Sequence, residues 1–184
     1  MKTKILITIL SVLSLNSFAK GQSGIYMNTS DYQSNKLTHE SECVKIHVHD
    51  FFWNMPGINV VADGKKYAYK KSELYGYRDC RNEVYRFYNN TEYRIEEAGN
   101  IYVYVQERNI ARSKGYIVVN EYYFSVAADG KILPLTLANL KEVYKGNSQF
   151  CDLLDQFFSN GDVRAYDKEH KTFKVNYVYS KTIK

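Results

Sequence analysis

VYRFYNNTEYRIEEAGNIYVYV, residues 84–105, decides the fold. Three runs, at 84–88, 92–96 and 101–105, are rich in Tyr, Val, Ile and Phe. β-branched and aromatic side chains suit a pleated, half-buried surface. Asn89-Asn90 and Gly99-Asn100 punctuate the runs, and Asn and Gly tolerate the backbone conformations that turns require. Short strands joined by tight turns predict antiparallel neighbours.

The same pattern extends upstream. Val44-Lys45-Ile46-His47-Val48-His49 alternates, with Val44, Ile46 and Val48 on one side and Lys45, His47 and His49 on the other. Residues 58–62 and 66–70 flank Asp63-Gly64, a strong hairpin cue. Gly24-Ile25-Tyr26-Met27 reads as a short strand. Asn28, Thr29, Ser30 and Asp31 are N-cap candidates for one helical turn that follows it. Downstream, 116–126 reads as a long strand, and Asp129-Gly130 is expected to turn it directly into Lys131-Ile132-Leu133.

The period then changes. Thr136 can cap a helix in which Leu137, Leu140, Val143 and Tyr144 share a face, ended by Gly146. A second helix carries Phe150, Leu153, Leu154, Phe157 and Phe158 at i, i+3, i+4, i+7 and i+8, closed by Gly161. Residues 168–182 carry two patterns. Phe173, Val175, Tyr177 and Tyr179 alternate like a strand, while Asp167 can cap a helix through Lys168-Glu169-His170. Helix is the expectation, because two helices precede it. The fold class is therefore α+β: an antiparallel β meander or partly closed barrel, with C-terminal helices packed on the sheet. One domain is expected over 20–184, β-rich over 24–135 and helical over 136–184.

The first nineteen residues read as a secretory signal. Lys2 and Lys4 precede a short apolar core at 5–15, and Ser17-Phe18-Ala19 offers small residues at the exit. That core is too short to span a bilayer, which takes about 20 apolar residues. The expected mature chain begins near Lys20 and works in a periplasm or outside the cell. Losing Lys2 and Lys4, with no acidic residue, lowers the formal charge from +5 to +3. Basic and acidic residues are interleaved, so the concentrated stripe of a nucleic-acid binder is missing. The 18 Tyr against 1 Trp support β structure and also suit a wet binding face, since the ring is apolar and the hydroxyl polar.

Three cysteines remain. Cys151 sits in a helical run as a small hydrophobe, and Cys43 with Cys80, at predicted strand edges or loops, is the expected pair if one forms. No Cys/His spacing typical of zinc occurs.

The ordered pieces Gly24-Ile25-Tyr26, Leu74-Tyr75-Gly76-Tyr77-Arg78, Val84 to Tyr88, Tyr123-Phe124-Ser125 through Asp129-Gly130, Leu133-Pro134-Leu135-Thr136 and Tyr166-Asp167-Lys168-Glu169-His170-Lys171 cover most of the expected mature chain. In that order the chain resembles a family of uncharacterised exported proteins of Bacteroidota-type bacteria. The resemblance implies export and a compact domain, and it implies no activity. With that source, the sequons Asn28-Thr29-Ser30 and Asn89-Asn90-Thr91 read as cap and turn residues.

Candidate chemistry is sparse. His47 and His49 lie about 6–7 Å apart on one strand face and could join a metal given a third ligand, but Lys45 shares that face. Glu96-Glu97 are neighbours, so on a strand they point apart. A cysteine nucleophile would need a histidine partner and an oxyanion hole, and no such context is legible. The aromatic cluster is the better site: Phe52, Trp53, Tyr75, Tyr77 and Arg78 are expected in or beside turns, presenting rings and a forked guanidinium to a sugar or peptide. The alternative for Trp53 is a plug at one end of the core. The expected function is a non-enzymatic exported domain that binds a ligand or an envelope partner, protein or glycan, with no cofactor. An envelope hydrolase or metal-dependent enzyme using the His47/His49 face is the competing class, and a structural envelope protein the third.

Overall fold

The computed structural model describes residues 22–48 and 56–183. The expected leader with its exit at Ala19, and His49, Phe52 and Trp53, lie outside the described residues. The chain runs β1 (Ser23–Tyr26), α1 (Thr29–Gln33), β2 (Thr38–Ser41), β3 (Lys45–Val48), β4 (Gly57–Ala62) and β5 (Lys65–Lys70). A 3-10 turn, Lys71–Glu73, leads to β6 (Gly76–Arg78), β7 (Val84–Tyr88), β8 (Thr91–Glu97), β9 (Tyr102–Arg112), β10 (Gly115–Ser125) and β11 (Leu133–Pro134). Then come α2 (Leu137–Val143), α3 (Ser148–Phe158), the short strands β12 (Tyr166–Asp167) and β13 (Thr172–Phe173), and α4 (Lys174–Ser180).

Eight strands form one antiparallel sheet in the order β11-β10-β9-β8-β7-β6-β1-β2. The sheet does not close; β11 and β2 are its edges, so the meander, not the barrel, is the form adopted. Two turn cues act as read, one in the three-stranded sheet β3-β4-β5 and one in this sheet. Asp63 and Gly64 take φ 50° and 71°, and Asn89 and Asn90 take 49° and 61°. Two left-handed residues in a two-residue connection match the twist of the flanking strands.

One face of this sheet is covered twice. Over β1, β6 and β7 lies the three-stranded sheet β3-β4-β5, which packs Val44, Ile58, Val60 and Ala62 against Ile25, Tyr77 and Phe87. Over β9 and β10 lie the helices, which pack Leu140, Phe150, Leu154, Val175 and Val178 against Val103 and Phe124. Thr136 and Asn147 cap α2 and α3 by accepting from Asn139 N and Phe150 N. Phe150, Leu154 and Phe158 are the buried stripe of α3, with Leu153 and Phe157 half-buried beside it. Val143 departs from the expected α2 face: it is 37% exposed, because seven residues turn too little helix inward to bury four side chains.

Three expectations need correction. Asp129-Gly130 does not make a two-residue hairpin. β10 ends at Ser125, and 126–132 is a longer connection held by Gly130 N to Ala127 O and by Ser125 Oγ to Ala127 O. The third strand of the meander does not stop at Val105; it runs to Arg112. Residues 166–180 are neither one strand nor one helix. Asp167 Oδ1 accepts from the Glu169 and His170 amides and so holds the turn of the β12–β13 hairpin, and α4 begins only at Lys174.

Candidate functional site

The alternation of β7 separates two environments. Tyr85 and Phe87 face the three-stranded sheet, and Arg86 faces the other way. On that opposite face, cross-strand pairing aligns Tyr26 with Gly76, Gly76 with Arg86, Arg86 with Tyr93, and Tyr104 with Tyr123. The result is a pavement of phenol rings. Tyr26, Tyr75 and Tyr104 are buried in it, yet none belongs to either hydrophobic core. Tyr32, Tyr88, Tyr93, Tyr102 and Tyr123 are half-buried. Among the described residues the cover is slight: Tyr32 of the single-turn α1 stacks on Tyr75 at 4.7 Å, and the 126–132 connection reaches over Arg86.

Arg86 is the centre of this face. Its Nη1 donates to the Tyr104 hydroxyl at 3.0 Å and its Nη2 to the Gly130 carbonyl at 2.8 Å. Its guanidinium carbon lies 5.6 Å from the ring centres of Tyr75 and Tyr88 and 5.8 Å from that of Tyr104. Ring faces carry negative quadrupole density, so they substitute for a counter-ion around a desolvated cation. The Tyr104 hydroxyl also meets Ser125 Oγ at 2.8 Å. Nearby, Arg78 lies over the Tyr26 ring and donates to Asn35 Oδ1, which also accepts from the Tyr26 hydroxyl. The Tyr75 hydroxyl and Arg78 Nε are buried with no hydrogen-bond partner among the described residues.

Burial is the largest influence on the phenols of Tyr26, Tyr32, Tyr75, Tyr93 and Tyr104, and it raises all five above their usual value. At neutral pH they are hydroxyl donors and acceptors. The face therefore offers ring surfaces, neutral hydroxyls and guanidinium groups.

The residues singled out from the sequence are divided by the fold. Tyr75 and Arg78 lie on the pavement, but Tyr77 lies on the opposite face, stacked on Tyr85 at 4.7 Å within the core. None of the three occupies an exposed bend: Tyr75 and Tyr77 are buried, because β6 is an interior strand between β1 and β7. Trp53 is outside the described residues, as is His49; His47 stands on the exposed side of β3, opposite Asn59. Among the described residues no three His, Cys, Asp or Glu side chains are grouped as around a metal ion. Cys43 and Cys80 are joined by a disulfide, Cα to Cα 4.8 Å, and Cys151 is free. Glu97 turns away from Glu96 at a bulge in β8 and reaches Thr172, Phe173 and Asn176, while Glu96 pairs with Arg94. Arg86 was not singled out. Its signal was an arginine inside a strand whose other residues are all apolar or aromatic. Tyr102-Val103-Tyr104 likewise placed two rings on one face.

Among the described residues no helix is long and apolar enough to cross a membrane. No family model, curated protein or solved structure matches this chain.

Proposed function

We propose that this chain is an exported, non-enzymatic binding domain, and that the tyrosine pavement is its binding face, taking a neutral, hydroxyl-rich glycan. The carrying observation is the row of half-buried rings, Tyr32, Tyr88, Tyr93, Tyr102 and Tyr123, on a face that neither core uses. Sugars present C–H faces to rings and hydroxyls to phenols and guanidinium groups. The pavement supplies both, and the positions of its strand-borne rings, Tyr88, Tyr93, Tyr102 and Tyr123, are fixed by ladder pairing, which lowers the entropy cost of binding. The non-enzymatic reading rests on the neutral phenols raised by burial, which are poor proton acceptors at neutral pH. The export reading rests on the leader-like N-terminus.

Binding of soluble cell-wall and capsular polysaccharides to the chain, read by calorimetry, tests the site. The expected result is binding that falls roughly tenfold or more in a Tyr93→Ala/Tyr102→Ala variant with near-native melting. Retention of full affinity in that variant overturns the assignment to this face. N-terminal sequencing of the protein isolated from its source tests export: a start near Lys20 is expected, and a retained Met1 on a cytoplasmic protein refutes it.

A further inference from the structure

The distal part of the β9–β10 ribbon leaves the body of the fold. β8 pairs with β9 only from Val103 to Val105, and β11 with β10 only at Tyr123 and Phe124. The two strands nonetheless stay paired with each other out to Arg112 and Gly115. Among the described residues both outer edges of this arm are unpaired. Both faces of the arm carry exposed apolar side chains: Val118 (63% exposed) and Tyr116 (77%) beside Asn109 on one, Ile110 (41%) and Ile117 (39%) beside Arg108 on the other. A long apolar edge of this kind is a template for another strand, and proteins usually blunt it with charge or proline. The edge from Tyr116 to Val119 carries neither.

Charge is distributed along the arm. Arg112 and Lys114 stand at the tip; at the base stand Glu107 and Glu121, with Arg108, which bridges Glu121 at 3.1 Å, and Arg94, which is shared among Glu83, Glu96 and Glu107, so carboxylates outnumber cations there. Two arms laid antiparallel set each basic tip beside the other acidic base. A bilayer fits less well, since the cations would enter ahead of the apolar residues and the unpaired backbone edge would follow into hydrocarbon.

We propose that the arm is a self-association element: β10 of two copies pairs antiparallel about a two-fold axis near Val118. This continues the sheet through β9-β10-β10-β9, with Arg112 and Lys114 of each copy near Glu121 and Glu107 of the other. An interface limited to one strand edge is small, so the dimer is weak and depends on concentration.

Sedimentation velocity of the full chain over a concentration series tests this. Wild type should pass from monomer to dimer. A tip-acidic variant, Arg112→Glu/Lys114→Glu, and a base-basic variant, Glu107→Lys/Glu121→Lys, should each associate roughly tenfold more weakly or less, because like charges then meet. Mixed together they should recover the dimer, since every tip then faces a base of opposite sign. Val118→Lys, at an exposed position, should fold and stay monomeric. A wild type that is monomeric throughout, a Val118→Lys variant that dimerises like wild type, or folded charge variants that do not recover on mixing overturns the proposal.

Discussion

Gly76 of β6 packs against Tyr85 of β7 so closely that a Cβ on Gly76 would overlap the Tyr85 carbonyl oxygen and lie 2.9 Å from its carbonyl carbon. This contact lets Tyr75 and Tyr77, two residues apart, serve opposite faces of the sheet, one stacked on Tyr32 and the other on Tyr85. Gly76→Ala should destabilise the fold by about 1–3 kcal/mol or more, since neither backbone can yield without breaking the ladder. Gly146→Ala, with nothing within 4 Å of the added carbon, should be near neutral. Chemical denaturation of both variants checks the contrast, and equal effects would mean that the strands are free to separate.

The same glycine marks what was legible. Asn89-Asn90, Asp63-Gly64, Thr136 and the Phe150–Phe158 stripe act as read because each is a local device: a left-handed turn, a cap, a helical period. Tyr75-Gly76-Tyr77 looked like a bend because close approach of a neighbouring strand leaves no mark in its own neighbourhood. The arm was missed for a related reason. Its Ser113-Lys114 connection contains no left-handed residue, and Gly115, at φ 119°, makes the adjustment instead. Arg86 leaves little local mark because, Tyr88 of its own strand aside, its partners are two rings and a carbonyl on other segments.

Arg86 ties the pavement together. Tyr104→Phe removes the hydroxyl that accepts from Arg86 Nη1 and leaves a buried donor unmatched, which should cost about 1–3 kcal/mol. Arg86→Ala also frees the 126–132 connection at Gly130 and should cost more. Hydrogen exchange should then show faster exchange in 126–132 in the second variant only. Unchanged exchange there would mean that the connection is held by its own turn.

The Cys43–Cys80 disulfide encloses β3, β4, β5, the 3-10 turn and β6 in a loop of 37-residue separation. On chain entropy alone, closing a loop of that length stabilises by about 3–4 kcal/mol. A Cys43→Ser/Cys80→Ser variant should melt clearly lower, and its three-stranded sheet should lose exchange protection first. Identical melting with and without reductant would show that no bridge forms in the purified protein.

The phenols set an alkaline limit. Burial raises Tyr26, Tyr32, Tyr75, Tyr77, Tyr85 and Tyr104 above 10.0, the value of an unburied phenol. Both states keep the proton well below pH 10, so the stability conferred there is complete. Above pH 10 the unfolded chain loses these protons first, and stability falls as pH rises towards the folded values. Melting temperature should be flat up to roughly pH 9 and then drop steeply, with phenolate absorbance rising together with loss of the β signal. Smooth phenolate titration near pH 10 in an intact fold would contradict this packing.

Asn176 fastens the helices to the sheet. Its Oδ1 accepts from Ile101 N at 2.9 Å, and its Nδ2 donates to Ile101 O at 2.8 Å and to Glu97 Oε1 at 2.9 Å. Glu97 Oε2 in turn accepts from Phe173 N at 2.7 Å, the amide that opens α4. A buried side chain thereby supplies the backbone partners that a strand neighbour would otherwise give to Ile101. Asn176→Leu keeps the volume but leaves both Ile101 groups unmatched, for a cost of about 2–4 kcal/mol. The loss should be local first: α4 amides should exchange faster while β3-β4-β5, on its separate core, keeps its protection. Uniform acceleration across both cores would instead mean that the two layers unfold as one unit.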